Sequence, residues 1–480
     1  MELVYNVKDK PPFGKTLVFA LQQLLAILAA TIAVPAVVGN GMSQSAALFG
    51  AGVGTIVYLL FTKFRSPVFL GSSFAFIGSM MAAFAGGVSM SVGYLGLIIG
   101  AGFAGLVYVI IALVVKKAGV NWLNKLMPAV VVGPTVAIIG LSLAGNAIGD
   151  LASGGLKDAF GGSVCNSYVA LICGLVTLFT VIACSVYGKK MLKLIPFIIG
   201  ILAGYAVAAI FTAIGYAANA DALKVIDFTK FKNMQWYPDF AFVEAFKGNY
   251  NYGPDGSFGT YLLTIAVAYA PVAFVVFAEH IADHKNLSSI IGSDLLEDPG
   301  LHRTLLGDGV GSIAGAFFGG CPNTTYGESV GCVAITGNAS VATIFTTAII
   351  AIIASFVAPF VTFLATIPSC VMGGVCITLY GFIAVSGLKM IQQVDLGDNH
   401  NLFVVSVILI AGIGGMTLNF GKVTITSVAC ALILGILTNV LCSIKGKKEN
   451  GEPSVTAEDA MIAESMEESA ESEETKEINE

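Results

Sequence analysis

Two glutamates stand where charge is otherwise scarce in this chain. Glu279 closes the apolar run YLLTIAVAYAPVAFVVFA, and Glu328 lies in NTTYGE, residues 323–328. A carboxylate inside a bilayer costs at least about 2.5–3.5 kcal/mol, so one retained there reads as functional. Such a group accepts hydrogen bonds from ligand N–H groups and can carry a proton. Asp283 follows Glu279 by four residues and shares its helix face. His280 and His284 share another face, but no third ligand stands at a spacing that would complete a zinc site. Hydropathy alone sets Glu279 near the cytoplasmic end of its span, where a plain interfacial charge is an equal reading.

Glu328 belongs to a weak segment, and that segment has a counterpart. GSSFAF (71–76) aligns with NTTYGE (323–328), so that Ser72 matches Thr324, Ser73 matches Thr325, Phe74 matches Tyr326 and Ala75 matches Gly327. The offset is about half the chain. Backbone that leaves a helix exposes N–H and C=O groups, which lipid cannot satisfy. Glycine and small hydroxyl residues permit an extended conformation there, and a polar ligand can take up the free groups. Paired broken segments at corresponding positions of two halves are the best sequence pointer to a transporter's central site.

The rest of the sequence must supply a membrane body to position these groups. Of 480 residues, 56% are hydrophobic and 11% charged, and mean hydropathy is +0.85, against roughly 25% charge in soluble domains. Lipid is the expected solvent. The net charge of −6 conceals an asymmetry: residues 451–480 carry eleven acidic residues and one lysine, Lys476, so the remainder is mildly basic. The tail reads as disordered and solvated. Nine cysteines, most of them in apolar segments, show neither metal spacing nor a disulfide framework. The N-terminus lacks the pattern of a cleaved signal, so the first apolar run is expected to be a retained span.

Spans of about 20 apolar residues are expected near 16–39, 46–62, 68–85, 91–115, 127–148, 167–187, 194–217, 259–282, 304–320, 324–336, 341–365, 368–388, 401–418 and 423–443. Of these, 68–85 and 324–336 are the weak ones. The expected fold class is an all-α polytopic membrane protein of about 14 transmembrane segments. Seven in each half make the halves insert in opposite directions, as two inverted repeats. Lys8, Lys10 and Lys15, Lys63 and Arg65, Lys116, Lys117 and Lys125, Lys189, Lys190 and Lys193, and Lys445, Lys447 and Lys448 then all fall on one side. By the positive-inside rule that side, with both termini, is cytoplasmic. Residues 218–258 form the extracellular loop, with Trp236 and Tyr237 as interface anchors.

FAEHIADH (277–284), LLEDPGLHRTLLGDGVGS (295–312) and GGCPNTTYGESVGCVAIT (319–336) resemble the nucleobase–ascorbate (uracil/xanthine permease) transporter family, in its uracil branch. FALQQLLAI (19–27), FLGSSFAF (69–76) and IPSCVMGG (367–374) extend the resemblance over about residues 11–445. The resemblance implies 14 segments in two inverted repeats, with short strands in segments 3 and 10. A core would comprise segments 1–4 and 8–11, and a gate that can mediate dimerisation segments 5–7 and 12–14. The expected order is a cytoplasmic N-terminus (1–15), core segments 1–4 with gate segment 5 (16–148), gate segments 6–7 (167–217), the extracellular loop (218–258), core segments 8–11 (259–365), gate segments 12–14 (366–443) and the acidic cytoplasmic tail (444–480).

Position by position, the resemblance makes Glu279 and Glu328 the partners of two substrate N–H groups. Phe74 and Gly327 become the residues whose backbone N–H groups meet two ring carbonyls, and Tyr326 a neighbouring aromatic wall. Uracil fits this set, and a proton rather than sodium is the expected coupling ion, carried at Glu279 with Asp283 beside it. Three positions depart from the uracil branch: Gln22-Gln23 replaces Gln-His, Asp283 replaces His, and Gly337 replaces Arg. The implied activity is proton symport of uracil through the inner membrane by elevator-like or rocking alternating access, without cofactor, metal or nucleic acid. The alternative within the family is a xanthine or purine permease. An anion carrier of the same architecture would be repelled by two carboxylates. A channel would show polar stripes along several helices rather than two polar clusters, and no nucleophile–base pair marks an enzyme.

Overall fold

The computed structural model describes residues 3–119, 128–156, 163–189, 191–234, 236–254, 256–420 and 423–446. Lys125, Lys190, Lys447, Lys448 and the acidic residues of 451–480 lie outside these. Helices dominate, because an apolar chain in lipid must satisfy its backbone internally. In order they are α1 (Phe13–Val38), α2 (Gln44–Phe61), α3 (Ile77–Ala83), α4 (Met90–Ala118), α5 (Ala129–Ser142) running on into α6 (Ala144–Leu151), α7 (Ser167–Tyr187) and α8 (Pro196–Ala217). The second half holds α9 (Phe258–Ile291), α10 (Leu301–Gly319), α11 (Gly327–Thr336), α12 (Val341–Ala354), α13 (Ala358–Thr366), α14 (Ser369–Ile391), α15 (Asn399–Ile413) and α16 (Ser427–Gly446). Among the described residues eight helices are long and apolar enough to cross a membrane: α1, α2, α4, α5–α6, α7, α8, α9 and α14.

Side-chain caps fix several starts by satisfying N–H groups that no helix can satisfy for itself. Ser43 accepts from Ala46 N–H before α2, and Asn166 from Tyr168 N–H before α7. Ser257 accepts from Thr260 N–H before α9, and Asp398 from His400 N–H before α15.

The two weak segments are where helix gives way to strand. β1 (Leu70–Ser72) pairs antiparallel with β2 (Asn323–Thr325), in the register Leu70 to Thr325, Gly71 to Thr324 and Ser72 to Asn323. Each strand leads toward a short helix, α3 or α11. Around this crossing, α10 packs on α2 and α4, α9 on α4, and α12 on α1 and α2. A second group forms separately: α14 packs on α5–α6 and α7, α8 on α7, and α15 on α5 and α16.

Four expectations need correction. The span drawn at 259–282 is a 34-residue helix ending at Ile291. Its last turns are polar in sequence, but His284 and Ser288 find partners inside the protein. Glu279 therefore sits well inside α9 rather than at a helix end. The span drawn at 341–365 is bent by 83° between α12 and α13. The span drawn at 401–418 stops at Ile413, and β3 (Leu418–Phe420) and β4 (Val423–Ile425) form a hairpin before α16. The fold is thus mostly α, with a second two-stranded sheet beyond the one expected.

Candidate functional site

Phe74, Glu279, Asp283, Tyr326, Gly327 and Glu328 all line one cavity of about 360 Å³. Its two sides differ in chemistry. One is polar and comes from α9, β2 and α11: Glu279, Asp283, Thr324, Thr325 and Glu328. The other is apolar apart from Ser386, and comes from α5, α8 and α14: Val136, Phe197, Leu379, Phe382 and Ile383. Phe74 stands edge-on to Tyr380, with ring centroids 5.9 Å apart. A larger cavity, about 590 Å³, lies at the α1–α2 turn and holds none of these six residues; Gln44, Lys230 and Asp239 are in its wall.

The polar side is assembled by hydrogen bonds between distant parts of the chain. Thr325 donates its hydroxyl to Asp283 Oδ2 at 2.7 Å, tying β2 to α9. Tyr326 donates to the carbonyl of Ser72 at 2.8 Å, and its ring lies across Gly71. A Cβ at Gly71 would fall 2.3 Å from that ring, so the strand crossing requires glycine there. Asn323 donates to Gly50 O at 3.0 Å, and Leu70 N–H donates to Thr55 Oγ1 at 2.9 Å, which hold both strands against α2. At Gly327 the surroundings are open: a Cβ would meet, among the described residues, Asp283 Oδ1 at 3.8 Å and nothing nearer. Gly327 opens α11, where the first N–H groups have no partner within the helix and favour negative charge or carbonyl oxygens.

Sequence reasoning misses several residues that place this site. Gln23 is 3% exposed and donates Nε2 to Ser329 Oγ at 2.5 Å. Phe69 N–H donates to the same oxygen at 3.1 Å. A single hydroxyl, next to Glu328, therefore joins α1, α11 and the approach to β1. Thr325 enters the sequence reading only as the partner of Ser73 in the repeat, although its position beside the glutamate-bearing run is the available signal.

The two histidines turn away from the cavity and are fully buried. His280 Nδ1 lies 2.7 Å from Asp308 Oδ2, and its Nε2 3.0 Å from Thr304 Oγ1. Thr304 Oγ1 also lies 3.0 Å from Leu301 O. His284 bonds through Nδ1 to His280 O and through Nε2 to Tyr58 Oη, both at 2.7 Å. Their ring nitrogens are thus engaged by protein groups between α2, α9 and α10.

A family model described as "Permease family", for xanthine and uracil permeases, matches residues 14–421. The uracil permease of Bacillus caldolyticus is 40% identical over 444 residues, covering 91% of this chain and 94% of that protein. The uracil permease of Escherichia coli K12 is 34% identical over 459 residues, covering 95% and 98%. Among solved structures, SLC26A9 superposes with TM-score 0.63 at 11% identity, over 90% of this chain and 65% of that one, so this chain spans about two thirds of its length. The transmembrane domain of a cyanobacterium bicarbonate transporter, BicA, superposes with TM-score 0.55 at 14% identity, over 92% of this chain and 100% of that domain. These two share the fold; the permeases share the sequence over nearly its whole length as well. The chain is a multi-pass membrane protein that belongs to the xanthine/uracil permease family, the nucleobase–ascorbate transporters.

Proposed function

We propose that this protein imports uracil by proton symport, binding the base between the polar face made by α9, β2 and α11 and the apolar face made by α5, α8 and α14. The observation that carries this is the convergence of Glu279, Glu328 and the N-terminus of α11 on one cavity of about 360 Å³. Uracil presents two N–H donors and two carbonyl acceptors in one plane. Glu279 and Glu328 take the N–H groups, and the backbone N–H groups of Phe74 and Gly327 meet the carbonyls. Tyr326 buttresses the strand crossing behind them. The curated relatives are named uracil permeases, and two carboxylates facing the ligand disfavour an anion.

The mechanism follows from the asymmetry of the cavity. Ligand-binding groups lie on one packed group of helices, and the facing wall is almost wholly apolar. A core of segments 1–4 and 8–11 can then carry the base past a gate of segments 5–7 and 12–14 without breaking polar contacts. The fourteen segments form two inverted repeats related through the β1–β2 crossing, with both termini cytoplasmic. Loading the base with a proton on Glu279, beside Asp283, removes one negative charge from the site and lowers the cost of moving it through a low-dielectric layer. Phe197 near the start of α8 and Ser386 near the end of α14 set the cavity toward the end of the molecule where Lys189 and Lys389 lie. With that end cytoplasmic, this is an inward-facing arrangement. The protein acts as a carrier and not as an enzyme.

The test is uptake of labelled uracil in cells lacking their own uracil transport, with and without an uncoupler and with unlabelled xanthine as competitor. Uptake collapsed by the uncoupler and spared by xanthine is the expected result. Expression without uracil uptake would reject the substrate, and uptake blocked by xanthine would assign a purine instead.

A further inference from the structure

The first residues of the chain run along the far end of the helix that carries Glu328. Exposure alternates from Leu3 to Lys8, with Leu3, Tyr5 and Val7 turned inward and Val4, Asn6 and Lys8 outward, as in a strand lying on a surface. Val4 and Tyr5 both donate their N–H to Gly337 O, at 2.8 and 3.2 Å. Ala339 N–H donates to Tyr5 O at 2.9 Å, and Val341 N–H to Val7 O at 3.1 Å. Ser340 adds its hydroxyl to Asp9 O at 2.6 Å. Tyr5 also packs edge-on against Phe19 of α1. The segment beneath is buried: Asn338 is 5% exposed, and Ala339 and Ser340 not at all.

Gly337 explains one departure seen in the sequence. It caps α11 in the left-handed region, with φ of 65°, and its N–H closes on Val333 O. Its carbonyl is thereby turned outward to receive two N–H donors. From Gly337 back to Gly327 is ten residues, about 15 Å of helix. α11 is short and rests mainly on α1 and α9, so its far end needs another hold.

We propose that residues 3–9 are a positioning strap for the substrate site: by fixing the Gly337 end of α11 they set where Gly327 N–H and Glu328 stand. This rests on the reading of the cavity as a uracil site, and the test separates the two. Coupling between sites is reciprocal, so a strap that orders the site must itself be ordered by ligand. Hydrogen–deuterium exchange is measured on the full wild-type chain with and without saturating uracil. The expected result is slower exchange in peptides covering 327–329 and also in those covering 3–9 and 337–343. Protection at 327–329 with none at the strap would overturn the proposal.

The second arm compares Val4→Pro/Tyr5→Pro, which deletes both N–H donors to Gly337 O, with Val4→Ala/Tyr5→Ala, which keeps them. The proline pair should exchange faster at 327–329 without ligand and raise the uracil Kd by roughly fivefold or more. The alanine pair, which loses the Tyr5–Phe19 contact but keeps both donors, should fall between wild type and the proline pair in both. A proline pair that folds and matches wild type in both would overturn the strap; if it does not fold, the wild-type comparison decides. Absence of uracil protection anywhere would reject uracil as ligand, and the ligand-free comparison of the two variants would still decide the strap.

Discussion

Two glycines at the crossing make opposite predictions when each is changed to alanine. At Gly327 the added methyl enters open space, 3.8 Å from Asp283 Oδ1. Its backbone is not left-handed, and alanine at a helix start is tolerated or mildly stabilising. The protein without ligand should keep its unfolding midpoint. The methyl nevertheless projects where a substrate carbonyl would approach the Gly327 N–H. Losing one such hydrogen bond is worth about 0.5–1.5 kcal/mol, which corresponds to roughly a two- to thirteenfold rise in uracil Kd. At Gly71 the methyl would lie 2.3 and 2.4 Å from two carbons of the Tyr326 ring. Overpacking of this kind typically costs about 1–3 kcal/mol, and displacing the ring breaks the Tyr326–Ser72 bond as well. Gly71→Ala should therefore lower the unfolding midpoint of the empty protein. Equilibrium binding of labelled uracil to purified protein, paired with thermal unfolding in the same detergent, reads both quantities. A Gly327→Ala protein that binds uracil as wild type does, or that is destabilised as much as Gly71→Ala, would refute the assignment of that N–H to the ligand.

Glu279→Gln keeps shape but cannot release a proton, and uncoupler-sensitive accumulation should disappear while the protein remains in the membrane; wild-type accumulation would remove Glu279 from coupling. Glu328→Ala should raise the uracil Kd by at least tenfold, on the scale of a lost charge-assisted hydrogen bond of about 1.5–3 kcal/mol, and unchanged affinity in dialysis would remove it from the site. Thr325→Val removes the hydroxyl that meets Asp283 and leaves a buried acceptor short, a loss of about 1–3 kcal/mol; KM for uptake should rise several-fold, and an unchanged KM would show that the bond does not position Asp283. Gln23→Leu should lower both the unfolding midpoint and uracil affinity, because Ser329 then no longer ties α11 to α1; an effect on neither would show the tie to be idle.

Much of the candidate site is legible in the sequence because membrane chains concentrate their polar chemistry. Glu279 and Glu328 stand out against apolar runs, and the likeness of GSSFAF to NTTYGE marks the places of both strands. The extent of α9 is not legible, since hydropathy registers the polar residues after Glu279 but not the partners that receive His284 and Ser288. The β3–β4 hairpin is hidden in the same way: 418–425 contains enough apolar residues to read as the ends of two helices. Hydrogen bonds between residues hundreds of positions apart, Gln23 with Ser329 or Val4 with Gly337, have no local signature. The His280–Asp308 contact likewise depends on how α9 faces α10, which spacing along one helix does not determine.

The pairing of Leu70–Ser72 with Asn323–Thr325 also bears on how the molecule is made. The three residues of the first strand are synthesised long before their partners. Leu70 meets Thr55 of α2 through both its N–H and its carbonyl, but until residues 323–325 arrive the remaining amides and carbonyls of this strand have no ladder to join, and in hydrocarbon each unmet group costs several kcal/mol. The first half of the chain therefore cannot settle in lipid as a finished unit. It has to wait, with this stretch shielded by water, by neighbouring helices or by the insertion machinery, until the second half is threaded. A nascent chain halted before residue 323 has the first strand but not its partner.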